Sequence, residues 1–550
     1  MENNGYSGLV KQALEQYGAL PAFSDFKGET LTYAQVGERM EALHHFFKDQ
    51  GIKKGDKIAL IGRNMSSWGV TYLAVVTYGA VIVPILPEFS SNDIHHIVNH
   101  SESKLLFCTD LQFDRVDDTQ MPHLEAIISI TGYRVLVSRK SAVHVAFEKY
   151  LPLLNGNGSQ FNINNLLFGQ FGAEELAVLS YTSGTSGFSK GVMLPHRSIW
   201  SNVVFARDTF DINPGDRIVS FLPLAHAYGC LFEYLWPFTE GCHITFLTRV
   251  PSPQIITEAF RAVKPNLILA VPLILEKIFK KNIQPKIESA TMKALLMVPG
   301  LNKLVYKKIN QSLIDVFGGE FSEMIIGGAA LNKDVELFLR KIGFPFTIGY
   351  GMTECGPLIS YAPWQQSRAH SAGSVVNRMQ VKIDSADPYN EVGEILVKGE
   401  NTMLGYYKNS EATAEIFDAE GWLHTGDLGV IDDQDFIYIR GRSKNMILGA
   451  SGQNIYPEEV EAILNSFDYV QESLVRESDG KLEALIYPDY ERADKEGLDA
   501  NTVERKIQDI KGKANGLLPA YINISKVTLF PTEFEKTPKK SIKRYIYMNK

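Results

Sequence analysis

Helical and strand-like patterns alternate over the first 170 residues, and this alternation limits the chain to few architectures. Residues 32–50 have helical periodicity and end at Gly51, a residue suited to a C-terminal helix cap. A second helix is predicted over residues 66–78, and short buried strands are predicted at residues 57–61, 81–85 and 104–108. Strands separated by helices favour parallel pairing, so this part of the chain predicts parallel sheets covered by helices.

The alternation continues through the middle of the chain and then stops. Strands are predicted at residues 217–221, 243–247 and 267–271, and residues 285–312 are mostly helical with a break at Pro299-Gly300. From about residue 380, short strands and turns follow one another. The sequence therefore predicts an α/β protein with a large N-terminal domain, residues 1–440, built from parallel-sheet α/β subdomains. A β-rich subdomain lies at about residues 375–440, and a small α+β C-terminal domain spans residues 441–550.

Composition and charge exclude several classes of protein. With 45% hydrophobic and 21% charged residues, the chain has the composition of a globular protein and not of a disordered one. The formal net charge of −8 gives no support for a nucleic-acid partner, which usually meets a basic surface. An acidic chain can still bind ATP through a local site.

Cysteine usage and the N-terminus favour a cytoplasmic protein. The four cysteines form no C-x-x-C pair and are predicted to be packed free thiols: Cys108, Cys230, Cys242 and Cys355. The first residues lack the features of a signal peptide. Residues 70–86 are almost uncharged but shorter than the ~20 residues of a membrane span, so a buried helix followed by a buried strand is expected. A membrane-peripheral location remains the alternative, and the oligomeric state is not predicted.

The strongest chemical signal is the loop that follows a strand predicted at residues 176–181. It reads Tyr181-Thr-Ser-Gly-Thr-Ser-Gly-Phe-Ser-Lys190. Its two glycines let successive backbone N–H groups point at one anion, the hydroxyl groups add donors, and Lys190 adds a positive charge. Such a loop suits a polyphosphate. It is not a P-loop, and the chain contains no G-x-G-x-x-G, which weighs against a Rossmann dinucleotide enzyme.

Five further motifs follow this loop along the chain. They are Pro223-Leu-Ala-His226-Ala-Tyr-Gly229, Gly327-Gly-Ala-Ala-Leu331, Gly349-Tyr350-Gly-Met-Thr353-Glu354, Gly421-Trp-Leu-His-Thr-Gly-Asp427 and Gly441-Arg442-Ser-Lys444. In type and order the six segments resemble the signature of the AMP-forming acyl-CoA synthetase superfamily, which also includes peptide-synthetase adenylation domains and luciferases. The chain is most similar to the branch of long-chain fatty acid–CoA ligases.

The resemblance implies a two-step reaction. A carboxylate and ATP form an acyl-adenylate and pyrophosphate, and a thiol then attacks the adenylate. ATP, Mg²⁺ and CoA are the implied cofactors, with a fatty acid as the other substrate. The family alternates two poses of a mobile C-terminal domain, one for each half-reaction, and Lys444 matches the hinge position.

The resemblance also implies which residues contact the phosphate groups and the reacting carboxylate. The expected phosphate ligands are Thr182, Ser183, Gly184, Thr185, Ser186, Gly187 and Lys190. Glu354 and Thr185 would hold Mg²⁺, because carboxylate and hydroxyl oxygens suit a hard cation. Gly351 would contact the nucleotide, and Thr353 would bond the α-phosphate or the adenylate. His226 would lie beside the reacting carboxylate. Thr185, Lys190, His226 and Glu354 are therefore candidate catalytic residues.

The remaining implied contacts are to the nucleoside and to CoA. Adenine would lie between Tyr350 and the backbone of Gly328 and Ala329. Asp427 would accept hydrogen bonds from both ribose hydroxyls, and Arg442 would donate to the ribose or a phosphate. A glycine after the hinge lets the pantetheine arm of CoA approach the backbone, and the candidates for that position are Gly452 and Ser451.

One position departs from the family pattern. The family usually ends with a lysine in a sequence like Thr-Pro-x-x-Lys-Ile-x-Arg, which contacts the carboxylate and the α-phosphate during adenylation. This chain reads Thr537-Pro-Lys-Lys-Ser541-Ile-Lys543-Arg544, so Ser541 occupies that position. Lys543 shares the face of Ser541 if the segment is extended, and Lys540 substitutes if the loop shifts. A solvated basic tail is the alternative.

The acid itself is the least constrained part of the prediction. Residues 267–275 and 294–301 are long apolar runs that suit an acyl pocket, although such runs also build ordinary core. The leading interpretation is a long-chain fatty acid–CoA ligase. One alternative is a ligase for aryl or medium-chain acids. A second, motivated by Ser541, is an impaired member that binds ATP and acyl chains but ligates them poorly.

Overall fold

A computed structural model describes most of the chain. It covers residues 5–156, 161–182, 189–284, 300–448, 453–478, 480–519, 521–537 and 541–548, with 287, 289, 292, 295, 296 and 298. Parallel sheets flanked by helices occupy the first part, and mostly antiparallel sheets follow, so the predicted α/β class is confirmed.

The first elements of the chain alternate as the sequence predicts. In order they are α1 (Gly5–Gln16), β1 (Pro21–Asp25), β2 (Thr30–Thr32), α2 (Tyr33–Asp49), β3 (Lys57–Ile61), α3 (Ser66–Tyr78), β4 (Val81–Ile85), α4 (Ser91–Ser101), β5 (Leu105–Cys108), α5 (Asp110–Phe113), β6 (Ala126–Ser129), β7 (Arg134–Ser138) and α6 (Ser141–Leu154). Helix α2 begins where it does because Thr32 and Gln35 form a reciprocal capping box, and Gly51 follows its end with a φ of 66°. The nearly uncharged run forms α3 and β4, both buried.

The middle of the chain brings in the remaining parallel strands. Its elements are β8 (Leu176–Thr182), β9 (Lys190–Pro195), α7 (His196–Thr209), β10 (Arg217–Ser220), α8 (Ala227–Gly229), a π-helix (Cys230–Leu235), α9 (Trp236–Thr239), β11 (His243–Phe246), α10 (Pro253–Val263), β12 (Leu267–Ala270), α11 (Pro272–Asn282), α12 (Leu301–Val316), β13 (Glu323–Ile326), α13 (Lys333–Ile342) and β14 (Phe346–Ile348). Part of the helical stretch predicted at 285–312 lies outside the described residues.

The rest of the chain forms shorter elements, and most of its strands pair antiparallel. They are β15 (Tyr350–Gly351), β16 (Leu358–Tyr361), β17 (Ser374–Val375), β18 (Met379–Asp384), β19 (Gly393–Gly399), α14 (Ser410–Ile416), β20 (Leu423–Ile431), β21 (Ile437–Arg442), β22 (Ile447–Leu448), β23 (Asn454–Ile455), α15 (Pro457–Ser466), β24 (Val470–Ser478), β25 (Lys481–Pro488), α16 (Tyr490–Lys495), α17 (Ala500–Leu517) and β26 (Ile524–Leu529). Strand β21 runs to Arg442, two residues past the predicted boundary, so we propose that the C-terminal domain begins after it.

The strands pair into several sheets that follow the chain. A seven-stranded sheet has the order β7-β6-β5-β3-β4-β8-β9, and its inner pairs are parallel. A second sheet has the order β10-β11-β1-β2, and β12, β13 and β14 form a parallel three-stranded sheet. Strands β18 to β21 form an antiparallel sheet, which is the β-rich region, and β24, β25 and β26 form the sheet of the C-terminal region.

Burial divides the chain into cores that match these sheets. One large cluster joins the N-terminal sheets, and a separate cluster packs α15 and α17 on the C-terminal sheet. The four cysteines are buried free thiols, as predicted. None of the helices in the described part of the chain has the length and apolar character needed to cross a membrane.

Candidate active site

The residues on either side of the predicted phosphate loop belong to one β-hairpin. Thr182 ends β8 and Lys190 begins β9, and the two residues are cross-strand partners. The chain therefore leaves β8 and enters β9 at the same end of this hairpin. The predictions for Ser183, Gly184, Thr185, Ser186 and Gly187 lie outside the described residues.

A short segment, which we call the strap, lies beside β9 and was not singled out from the sequence. The strap is residues 403–407. Its backbone bonds to β9 through Leu404, Gly405 and Tyr407, at N–O distances of 2.8 to 3.0 Å. Tyr406 places its ring under Lys190, with 5.0 Å between the lysine Nζ and the ring centroid. The strap therefore fixes the aromatic ring that the Lys190 charge faces.

The central motif meets the same strap. Glu354 lies in a 3₁₀ turn, Thr353–Cys355, and its backbone oxygen accepts a 2.8 Å hydrogen bond from the amide of Met403. Its side-chain Oε1 accepts from the hydroxyl of Tyr406 at 2.9 Å. Thr353 is buried at the start of the turn. The structure thus brings Lys190 and Glu354 to two sides of one tyrosine.

A glycine is required just before this turn. A Cβ at Gly351 would lie 2.2 Å from the backbone oxygen of Pro357, closer than any real contact. The glycine lets two backbone segments approach each other and holds the turn against β16. This close approach is a packing reason for Gly351, in addition to the nucleotide contact predicted for it.

The adenine-side residues lie at the carboxyl ends of neighbouring parallel strands. Gly328 follows β13 with a φ of 85°, and Ala329 beside it is exposed. Gly349 donates from its amide to the backbone oxygen of Ile326 at 2.9 Å, which puts Tyr350 next to that loop. Ligands of open parallel sheets bind at this edge, so the loop and Tyr350 are placed as a nucleobase site would need.

The ribose candidates form one connected group. Asp427 and Arg442 are cross-strand partners on β20 and β21, and Arg442 Nε lies 2.9 Å from Asp427 Oδ1. The hydroxyl of Tyr350 donates to Asp427 Oδ2 at 2.7 Å. Burial raises the pKa of Asp427, and the Arg442 charge opposes that rise. Arg442 is exposed, so the pair presents a charged edge to solvent beside the Tyr350 ring.

Two buried side chains hold the segment that leads to His226. Asn64 Nδ2 donates to Ser220 Oγ at 3.0 Å and to the backbone oxygen of Leu222 at 2.7 Å. Glu233, on the π-helix, accepts from the amides of Phe221 and Leu222 at 3.0 Å each. These contacts fix the backbone just before His226, and sequence reasoning missed both residues because neither lies in a motif.

A narrow cavity adjoins His226. Its walls include Cys230 and Leu231 of the π-helix and Gly356, two residues after Glu354. The cavity has about 20 Å³, which is room for about one water molecule. An acyl chain therefore needs more space than this narrow cavity provides. Residues 267–270 of the predicted acyl pocket form the buried strand β12, and residues 294, 297 and 299 lie outside the described chain.

Glu233 gives a stability prediction. It is fully buried, and desolvation raises its pKa well above the usual range. Glu233→Gln keeps an oxygen that can accept from the amides of Phe221 and Leu222 and is expected to cost less than about 1 kcal/mol, whereas Glu233→Leu leaves both amides without an acceptor and costs about 2–5 kcal/mol. Urea unfolding at pH 7 measures both values. Equal losses for the two variants would contradict the role of the side chain as the acceptor for these two amides.

The C-terminal tail forms a hairpin around the position that departs from the family. Thr537 donates from its amide to the backbone oxygen of Ser541 at 2.8 Å, and Lys543 donates to that of Glu535 at 2.8 Å. Ile542 packs inward, whereas Ser541 is exposed and Lys543 partly exposed. Lys543 therefore shares the outward face of Ser541. Its Nζ lies 3.7 Å from Glu535 Oε2.

Hydrogen bonds connect the tail to helix α15. Arg544 makes two hydrogen bonds to Glu461, at 2.7 and 2.8 Å. Burial raises the pKa of Glu461 to about 7, although the Arg544 charge opposes the rise. Lys444 lies exposed in a 3₁₀ turn after β21. The predictions for Ser451, Gly452 and Lys540 fall outside the described residues.

Relatives with similar sequences are named long-chain-fatty-acid–CoA ligases. A long-chain-fatty-acid–CoA ligase of Escherichia coli O157:H7 is 29% identical over 496 residues, covering 84% of this chain and 81% of that protein. Long-chain-fatty-acid–CoA ligase 1 of Homo sapiens is 28% identical over 559 residues, covering 92% of this chain and 78% of that protein.

Solved structures share the fold, and a family model matches the sequence. ATP-bound MatB from Rhodopseudomonas palustris has a TM-score of 0.75 at 22% identity, covering 99% of this chain and 98% of that one. An anthranilate CoA ligase, AuaEII, in complex with anthranoyl-AMP has a TM-score of 0.78 at 19% identity, covering 98% and 96%. The model of the AMP-binding enzymes matches residues 10–407. The resemblance predicted from the motifs is confirmed, and the chain belongs to the family of AMP-binding enzymes.

Proposed function

We propose that this protein activates a carboxylic acid with ATP and transfers the acyl group to CoA. The observation that carries the proposal is the presence of two groups of side chains that are joined by the segment from Tyr350 to Glu354. Lys190 and Glu354 lie around Tyr406, and Asp427 and Arg442 lie around Tyr350. The first group suits phosphates and their counter-ion, and the second suits a nucleoside.

In the first half-reaction, a carboxylate oxygen of the acid attacks the α-phosphorus of ATP. The bond from that phosphorus to the bridging oxygen of the β-phosphate breaks, and pyrophosphate leaves. Two anions must meet, so the site has to neutralise charge and hold the attack in line. Lys190, with the loop from Thr182, would grip the β- and γ-phosphates. Thr353 would bond the α-phosphate, and His226 would adjoin the carboxylate.

The donor set fits Mg²⁺ carried on the nucleotide. The described residues contain no cluster of three or more His, Cys, Asp or Glu side chains that could hold a metal by itself. Mg²⁺ in nucleotide sites usually takes one or two carboxylates with phosphate oxygens, so Glu354 with Thr185 would suffice. When bound, the ion would offset the charge that develops on the leaving pyrophosphate. Glu354 is half-buried and held by Tyr406, which keeps one carboxylate in place.

In the second half-reaction, the sulfur of CoA attacks the carbonyl carbon of the adenylate, and AMP leaves. We assign the change of pose between the two steps to Lys444, which lies exposed in a three-residue turn between two sheets. Ser451 or Gly452 would adjoin the pantetheine arm. For the adenylation pose we assign Lys543 to the role of the missing family lysine, with Lys540 as the alternative.

A long-chain fatty acid is the substrate that we favour. It is supported by relatives that carry that name at 27–29% identity over most of this chain. An aryl or medium-chain acid is the alternative substrate. Each buried methylene contributes ~0.8 kcal/mol, so a long pocket would select chain length steeply.

The proposal is tested by product analysis with Mg-ATP, CoA and a series of acids from acetate to oleate, with benzoate. AMP and acyl-CoA are expected together, with kcat/KM rising toward the long chains. A maximum at benzoate or at medium chains would assign the alternative substrates. AMP without acyl-CoA would mean another thiol acceptor, and ADP would overturn the mechanism. An absence of acid-dependent turnover would favour the impaired member and make Ser541→Lys the next variant.

A further inference from the structure

The strap connects the hairpin of β8 and β9 to the central motif at Glu354. The backbone of the strap pairs with β9 on one side and donates to Glu354 on the other, through Met403. Tyr406 lies between these two contacts and is buried. Its amide also donates to Thr413 Oγ1 at 2.9 Å. Contacts to β9, Glu354 and Thr413 therefore hold the backbone that carries this ring.

The hydroxyl group of Tyr406 is committed to one oxygen of Glu354. It lies 2.9 Å from Oε1, and no residue in the described part of the chain has a hydrogen bond to Oε2. An ionised carboxylate can only accept hydrogen bonds, so the hydroxyl of Tyr406 is the donor. A carboxylate whose Oε1 is engaged in this way offers a cation mainly Oε2.

Coordination through one oxygen discriminates between cations. Mg²⁺ demands near-octahedral geometry at about 2.0–2.1 Å and binds carboxylates through single oxygens beside water and phosphate. Ca²⁺ is larger, takes about 6–8 ligands and readily accepts both oxygens of one carboxylate. We propose that Tyr406 is a positioning residue that confines Glu354 to single-oxygen coordination of the nucleotide-bound cation and so favours Mg²⁺ over Ca²⁺. This inference rests on the proposed role of Glu354.

Tyr406→Phe isolates the hydroxyl group. The variant keeps the ring that faces Lys190, and removes only the donor to Glu354. Tyr407→Phe is the matched control. Tyr407 is the next residue of the strap, and its hydroxyl lies 3.4 Å from Glu102 Oε2, not at Glu354. Both variants lose one hydroxyl group from the same backbone segment.

The test is the affinity for ATP, measured by calorimetry on the full chain without acid or CoA, so that no turnover occurs. Titrations with excess Mg²⁺ and with excess Ca²⁺ give the ratio of the two Kd values. In Tyr406→Phe the preference for Mg²⁺ is expected to fall at least about threefold, because Oε1 becomes available to Ca²⁺. The ratio is expected to stay unchanged in Tyr407→Phe.

Two results would overturn the inference. One is an unchanged ratio in Tyr406→Phe, and the other is an equal loss of affinity for both cation complexes. If the wild type binds ATP equally well in Mg²⁺ and in EDTA, the proposed metal role of Glu354 is wrong. This outcome differs from the two results above, which concern Tyr406 alone. Thermal melting of the two variants checks that both remain folded.

Discussion

Lys543→Ala is expected to lower the rate of acyl-adenylate formation by about 100-fold, the scale of removing one oriented group that stabilises a transition state. The rate of thioester formation from supplied acyl-adenylate is expected to change by less than about twofold, because the family uses a different pose of the C-terminal domain for that step. Pyrophosphate release with saturating acid measures the first rate, and acyl-CoA formation from synthetic adenylate measures the second.

The hairpin geometry is the reason to choose Lys543. Residues two apart on a strand lie about 6.6 Å from each other on the same face, and a lysine side chain spans that distance. Ile542 points into the core between them, so Ser541 and Lys543 face outward together. The 3.7 Å contact to Glu535 is on a partly exposed surface and is weak enough to break when substrate binds.

The control for this variant is Lys513→Ala, at an exposed position on α17 of the same domain. Both half-reactions should be unaffected there. Loss of both half-reactions in Lys543→Ala would indicate damage to the domain and contradict a role in one pose. Full activity in Lys543→Ala with loss in Lys540→Ala would transfer the role to Lys540. A large gain in Ser541→Lys would support the impaired member.

Asp427→Ala is expected to weaken ATP binding by about 13- to 160-fold, since hydrogen bonds to a charged group contribute about 1.5–3 kcal/mol and two ribose hydroxyls share this carboxylate. The carboxylate is buried, held by Arg442 and by the hydroxyl of Tyr350. Calorimetry with ATP and with AMP should give similar losses, because both nucleotides carry the ribose.

The matched control is Asp433→Ala. Asp433 is an exposed carboxylate in the turn between β20 and β21, the same two strands that carry Asp427 and Arg442. Its removal is expected to change ATP affinity by less than about twofold. An unchanged ATP affinity in Asp427→Ala would contradict the ribose role.

Local chemistry explains which parts of the fold could be predicted from the sequence. The capping box of Thr32 and Gln35 and the left-handed glycine after α2 depend on neighbours in the chain, so α2 was placed within one residue. The buried strands β3 and β4 were placed in full, because a short apolar run between turns has few alternatives. The pairing of β1 with β11 joins residues more than 200 positions apart, and no local pattern specifies it.

The same division applies to the candidate site. The motif residues were proposed because their types and order resemble a family. The structure connects Lys190 to Glu354 through Tyr406 and places Tyr350 in contact with Asp427. Tyr406, Asn64 and Glu233 were missed, since each acts on a distant segment through a single side chain. A tyrosine beside a glycine, or a buried glutamate, carries no signal until its partner is known.

The central claim is that the acid carboxylate attacks the α-phosphorus of ATP. Acid labelled with ¹⁸O in both carboxyl oxygens, incubated with Mg-ATP and CoA, tests it directly by mass spectrometry of the nucleotide product. AMP is expected to carry a single ¹⁸O, because the attacking oxygen stays on the phosphorus when the sulfur of CoA displaces it from the carbonyl carbon. Unlabelled AMP, or ADP with the label in inorganic phosphate, would contradict adenylate formation.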